Sequence, residues 1–115
     1  MNKRVKGRKF SRKSDQRKAF LKSLAEALFL RGKIKTTQAR AKELRSFAEK
    51  LITKAKPADL AAIRNVGSVL TKKTTFKLIK EIAPKYKDRN GGYTRITRLA
   101  PRKSDSAKMA IIELI

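Results

Sequence analysis

Cysteine and histidine are both absent from this 115-residue sequence, and acids are scarce, nine Asp and Glu against 32 Lys and Arg. Without cysteine there is no disulfide framework and no thiolate chemistry. With histidine missing as well, zinc fingers, Ser-His and Cys-His nucleophile pairs and imidazole general bases are excluded. The few acids form no catalytic pair. Glu43 and Glu49 stand among lysines and arginines in a helical stretch, where charge pairing accounts for them, and Asp105 and Glu113 have no third ligand nearby in sequence. The expectation is a protein that is not an enzyme, with no cofactor and no metal. No apolar run approaches the roughly 20 residues of a membrane span. The basic start is not followed by the uninterrupted apolar segment of a secretory signal. We therefore expect a cytoplasmic chain with no membrane and no small-molecule substrate. Internal repeats and a second domain are lacking too.

What is abundant is positive charge, a net +23 at pH 7 with a pI near 11.1. Self-repulsion on that scale opposes compaction unless a polyanion neutralises it. Nucleic acid is the obvious polyanion, and counterion release on phosphate neutralisation supplies affinity. A hydrophobic fraction of 40% is still enough for one modest core.

The charge is unevenly placed. Residues 1–13 carry Lys3, Arg4, Lys6, Arg8, Lys9, Arg12 and Lys13 with no acid, only Val5 and Phe10 are substantially apolar, and Gly7 interrupts any helix. Such a segment cannot bury enough surface to order itself and reads as an extended basic arm that orders on binding. Residues 14–115 read as one folded core. Ser14 and Asp15 suit a helix start, Phe20, Leu21, Leu24 and Leu28 recur at helical spacing, and Gly32 is a natural stop. Residues 33–36 alternate and suit a strand with Lys33 and Lys35 outward. A second helix should run from a Thr36 or Thr37 cap to about Ala55, with Leu44, Phe47, Ala48, Leu51, Ile52 and Ala55 as its apolar stripe and Pro57 as its end. Residues 58–69 and 72–82 read as two shorter helices, the second with Phe76, Ile79 and Ala83 inward and Pro84 closing it. Asn90-Gly91-Gly92 marks a turn. Residues 93–99 form a strand with Tyr93, Arg95, Thr97 and Leu99 on one face and Thr94, Ile96 and Arg98 on the other. Arginines on both faces predict an edge or RNA-facing position. Residues 109–115 form a mostly buried final strand, paired antiparallel with 93–99 across the 100–108 loop. The expected fold is α+β, in the order α-β-α-α-α-β-β, with a small mixed sheet packed on helices.

Several of these segments resemble one known family. Ile34-Lys35-Thr36-Thr37, Arg40-Ala41-Lys42 and Glu49-Lys50-Leu51-Ile52-Thr53-Lys54-Ala55-Lys56 are similar to a motif of the bacterial-type large-subunit ribosomal protein numbered seventeen. Gly7-Arg8 with Arg12, Ser14 and Arg17 resembles its arm and first helix. Gly91-Gly92-Tyr93-Thr94-Arg95-Ile96 and Met109-Ala110 with Ile112-Glu113-Leu114 resemble its last two strands. The sequence departs from the family's pattern at a missing histidine near the start and at Ser104-Asp105, where Gly-Asp is common. The resemblance implies a structural constituent of the large subunit near the nascent-peptide exit tunnel. Its implied partners are large-subunit ribosomal RNA and neighbouring ribosomal proteins, with no homo-oligomer in the ribosome. A DNA-binding architectural protein is the alternative, although no helix-turn-helix, dimerisation surface or minor-groove wedge is evident.

The residues expected to contact RNA are the seven arm cations together with Arg17, Lys18, Lys33, Lys35, Arg40, Lys42, Arg95, Arg98, Arg102 and Lys103. Lysines offer point charges to phosphate, and arginines add a planar fork or a stacking surface. Arg40 and Lys42 oppose the dipole at the start of the second helix, a cost that a phosphate bound there would offset.

Overall fold

The computed structural model describes residues 14–115, and the expected arm over 1–13 lies outside them. The elements are α1 (Ser14–Arg31), β1 (Lys33–Thr37), α2 (Gln38–Ala55), α3 (Leu60–Gly67), α4 (Lys72–Lys77), β2 (Thr94–Leu99) and β3 (Met109–Leu114). Between α4 and β2 the chain continues as a π-helical turn, Leu78–Ile82, and a 3-10 turn, Ala83–Tyr86.

Local chemistry explains most boundaries. Gly32 takes φ +86°, a left-handed conformation open to glycine, and its N–H donates to the Leu28 carbonyl at 2.7 Å, closing α1. Thr37 caps α2, its hydroxyl accepting from the Arg40 N–H at 3.3 Å. Thr36 instead lies buried in the sheet. The third helix begins later than position 58, because Ala58 is left-handed (φ +55°) and Asp59 is the cap, accepting from the Ala62 N–H at 2.8 Å. Pro84 does not close the fourth helical stretch at residue 82. It falls at the start of the 3-10 turn, where its missing N–H costs nothing, and the π turn before it absorbs the change of pitch.

Helix α2 is the centre of the core. Ala41, Leu44, Ala48, Leu51, Ile52 and Ala55 are buried along one stripe, with Phe47 partly buried beside it. They meet Ala25, Leu28 and Phe29 of α1, Val66 of α3, Leu78, Ile79 and Ile82 of the π turn, and Ala110 and Ile112 of β3. Each fully buried large side chain of this kind contributes about 1.5–3 kcal/mol.

Phe76 is not among them. It is 65% exposed, and the inward positions around it are held by Thr74 and Thr75. Threonine can be buried there because its hydroxyl finds local partners: Thr75 Oγ1 donates to the Thr71 carbonyl at 2.8 Å, and Thr74 Oγ1 lies 3.0 Å from Thr71 Oγ1. At about 100° per residue, a stripe through 75, 78, 79 and 82 turns position 76 toward water.

The sheet order is β1-β3-β2, and both pairings are antiparallel. The expected mixed sheet is thus corrected to an antiparallel one. The helical crossover does leave β1 and β2 running the same way, but β3 lies between them and opposes both. Ile34, Ile112 and Ile96 form one rung on the helix-facing side, with Ala110 and Thr36 next to it. Tyr93 just before β2 is 1% exposed, its ring 5.1 Å from that of Tyr86 and its hydroxyl 3.2 Å from both Thr53 Oγ1 and Lys56 Nζ.

Candidate nucleic-acid interface

Strand pleating decides which cations share a surface. With Ile34, Ile112 and Ile96 committed to the core, period-two alternation sends Lys33, Lys35 and Arg95 to the opposite face of the sheet. All three are exposed. Lys33 and Arg95 flank Glu113 on one rung, and Arg95 Nη2 lies 3.4 Å from Glu113 Oε1. One acid thus stands between two cations, and Lys35 on the next rung faces Ile111. Arg98 belongs to the other face, opposite Ala110, yet remains exposed because β2 is an edge strand. Both arginines of this strand therefore reach solvent, on opposite sides.

The far end of the outer face is closed by the 100–108 loop. Arg102 and Asp105 are paired in two places, Nε to Oδ1 at 3.0 Å and Nη2 to Oδ2 at 2.9 Å. Asp105 Oδ1 also accepts from the Ala107 N–H at 3.1 Å. These donors hold the Asp105 carboxyl down at about 2, with the Arg102 guanidinium the main cause, and the same hydrogen bond raises Arg102. Backbone bonds Ser106 N–H to Arg102 O (2.8 Å) and Arg102 N–H to Ala107 O (2.9 Å) complete a closed turn. Lys103 is exposed beside it. Lys35, Leu99, Ala100, Pro101, Arg102, Lys103 and Met109 line a concavity of about 430 Å³.

The helical cations divide into two groups. Arg17 on α1 is ion-paired with Glu43 on α2, so it joins two helices. Arg40 stacks over Phe20, its guanidinium carbon 4.9 Å from the ring centroid. The start of α2 is also supplied with protein acceptors, since Gln38 N–H donates to Lys108 O at 2.9 Å and Arg40 N–H to Thr37. A phosphate is not needed to satisfy those groups. Lys18 and Lys42, neighbours of the Arg17–Glu43 pair in sequence, are exposed. Lys18, Lys33, Lys35, Lys42, Arg98 and Lys103 make no ion pair among the described residues.

The structure thus brings Lys33, Lys35, Arg95, Arg102 and Lys103 to one face, leaves Lys18 and Lys42 on the helices and turns Arg98 to the other side. The seven arm cations lie outside the described residues. Sequence reasoning missed Leu99, Pro101 and Met109 as neighbours of these cations. The alternation that put Leu99 on the face of Arg95 was the available signal, but cross-strand register was not. Among the described residues no group of three or more acids could hold a metal, and no helix is long and apolar enough to cross a membrane.

An α+β core that ties Arg17, Arg40 and Arg102 to acids or a ring and displays lysines around a sheet face is a small, strongly basic domain. The family model described as "Ribosomal protein L17" matches residues 20–115. "Large ribosomal subunit protein bL17" of Clostridium botulinum strain Hall is 53% identical over 109 residues, covering 94% of this chain and 96% of that protein. Its namesake in Clostridium acetobutylicum is 52% identical with the same coverage. The one in Sulfurovum sp. is 56% identical, covering 94% of both chains. The chain belongs to the ribosomal protein L17 family, structural proteins of the large ribosomal subunit and not enzymes.

Proposed function

We propose that this chain binds large-subunit ribosomal RNA and stabilises it by charge neutralisation, close to the nascent-peptide exit tunnel. The observation that carries the reading is the set of exposed cations that make no ion pair among the described residues, Lys18, Lys33, Lys35, Lys42, Arg98 and Lys103, on a chain of net charge +23. Unpaired lysines on a folded surface are suited to phosphate, and phosphate contacts position a protein without reading sequence. The basic segment 1–13 would extend this contact beyond the 14–115 core, threading between RNA helices that repel each other unless screened. The relatives' names place those proteins in the large ribosomal subunit, and the tunnel position follows from the family resemblance. Neighbouring ribosomal proteins are the remaining partners, with no homo-oligomer of this chain in the ribosome, and the ribosome is cytoplasmic.

The test is binding of the full chain to purified large-subunit ribosomal RNA across a salt series. Replacing Lys33 and Lys35 with alanine should flatten the log–log salt slope by roughly 0.7–0.9 per lost phosphate contact. An unchanged slope would remove these lysines from the interface. Cross-linking in assembled large subunits tests the address, and absence of the chain from that fraction at stoichiometric level would overturn the reading.

A further inference from the structure

The concavity at the end of the sheet combines features that simple charge neutralisation does not require. Its floor is apolar: Leu99 and Met109 face each other across β2 and β3 on the outer side. Met109 is only 6% exposed although its register puts it on that outer face, and residues of the 100–108 loop line the same concavity. The rim is cationic, with Lys35 on β1 and Arg102 and Lys103 on the loop. At about 430 Å³ the space falls within the roughly 300–1,000 Å³ of small-ligand sites.

Arg102 decides what kind of ligand fits. Two of its fork nitrogens are committed to Asp105, so the fork is not free to clamp a phosphate bidentately. What the pairing leaves available is the flat guanidinium face, held in place by the closed turn. Ser106 at φ +59° is a non-glycine residue in the left-handed region, a conformation that persists where its surroundings determine it. A loop organised before binding loses little entropy when a ligand arrives. Asp105, the acid of this loop, is already neutralised by Arg102, so the rim favours an anionic ligand.

We propose that this concavity is a pocket for one unpaired nucleotide of RNA, its base against Leu99, Met109 and the Arg102 guanidinium plane and its phosphate on Lys35 and Lys103. Guanidinium planes are surfaces on which splayed-out bases stack, and a thioether makes favourable contacts with aromatic rings. The pocket rests on the RNA-binding reading above and adds to it one position at which a base, not only the backbone, is held.

The experiment uses the full chain and purified large-subunit ribosomal RNA, probed with reagents for base Watson–Crick edges and, separately, for backbone cleavage. Ala100→Phe fills the pocket without changing charge, and Arg102→Lys keeps the charge but removes the plane. The unaltered chain should protect an unpaired base that both variants leave reactive, with backbone protections elsewhere in the RNA retained. Affinity should fall roughly tenfold, within the range of about 5- to 150-fold for one stacked base. Base protections unchanged in a folded Ala100→Phe protein would overturn the pocket and leave RNA binding standing. No protection of any kind by the unaltered chain would overturn the RNA reading itself. Should Ala100→Phe disturb the fold, as read by circular dichroism, Arg102→Lys takes its place: base protection that survives this substitution equally overturns the pocket.

Discussion

Threonines at positions 74 and 75 occupy the inward side of their helix while Phe76 faces water, and the consequences for stability are opposite to what residue type suggests. Phe76→Ser should shift the unfolding free energy by no more than about 0.5 kcal/mol, as is usual for an exposed site. Ile52→Ala, at a fully buried position of α2, should cost about 2–5 kcal/mol. Urea unfolding of the two variants measures both, and a large loss for Phe76→Ser would contradict the exposed placement. Asp105 supplies a pH test. Its carboxyl is held at about 2 by Arg102 and the Ala107 N–H, below its ordinary 3.8. A depressed carboxyl stabilises the folded loop above the ordinary value, and that contribution is lost as pH falls through about 2. The Ala107 amide resonance should therefore titrate with a midpoint near 2; a midpoint near 3.8 would mean the pairing with Arg102 does not form in solution. Position 76 reads as inward in sequence because threonine counts as polar until its hydroxyl is seen to bond within its own turn.

Elements are tied to one another here by acids as much as by apolar surface. Glu49 of α2 accepts from both the N–H (3.2 Å) and the hydroxyl (3.0 Å) of Thr94 at the start of β2, and it lies 3.8 Å from Arg45 on its own helix. Thr94 is buried, so these donors have no water to turn to. Glu49→Leu should leave them unsatisfied and cost about 1–3 kcal/mol. Hydrogen exchange at Thr94 would locate the loss, and unaltered protection there would show that the carboxylate is dispensable. Glu43 links α2 to α1 in the same manner through Arg17. The spacing of Glu43 and Glu49 among basic residues reads as pairing along one helix, which Arg45 supplies for Glu49, but both acids also reach across to a different element. Helix faces and strand alternation were legible because their periods are local properties of the backbone. Partners 26 and 45 residues away were not, since no local period encodes them.

For the whole molecule the governing quantity is the net +23, shared between the basic segment 1–13 and a core whose described residues bury one apolar cluster. Removing residues 1–13 takes away seven of the cations while leaving the described core intact in sequence. The shortened chain should keep its helical circular dichroism but bind large-subunit ribosomal RNA more weakly and with a flatter salt dependence. Salt-resistant association equal to that of the full chain would count against the arm as an RNA contact. Composition alone dictated much of this: an excess of cations requires a polyanion, and the absence of cysteine and histidine removes most catalytic and metal chemistry. The motif segments carried the family, and periodicity carried the element order and most of the α2 stripe. What only the tertiary structure decided is which cations remain available. Arg17, Arg40 and Arg102 looked equivalent to Lys33 and Lys35 in sequence, yet each arginine is engaged by an acid or a ring that the fold brings to it. The physical reason is that charge is additive along a chain, whereas its neutralisation depends on distance through space.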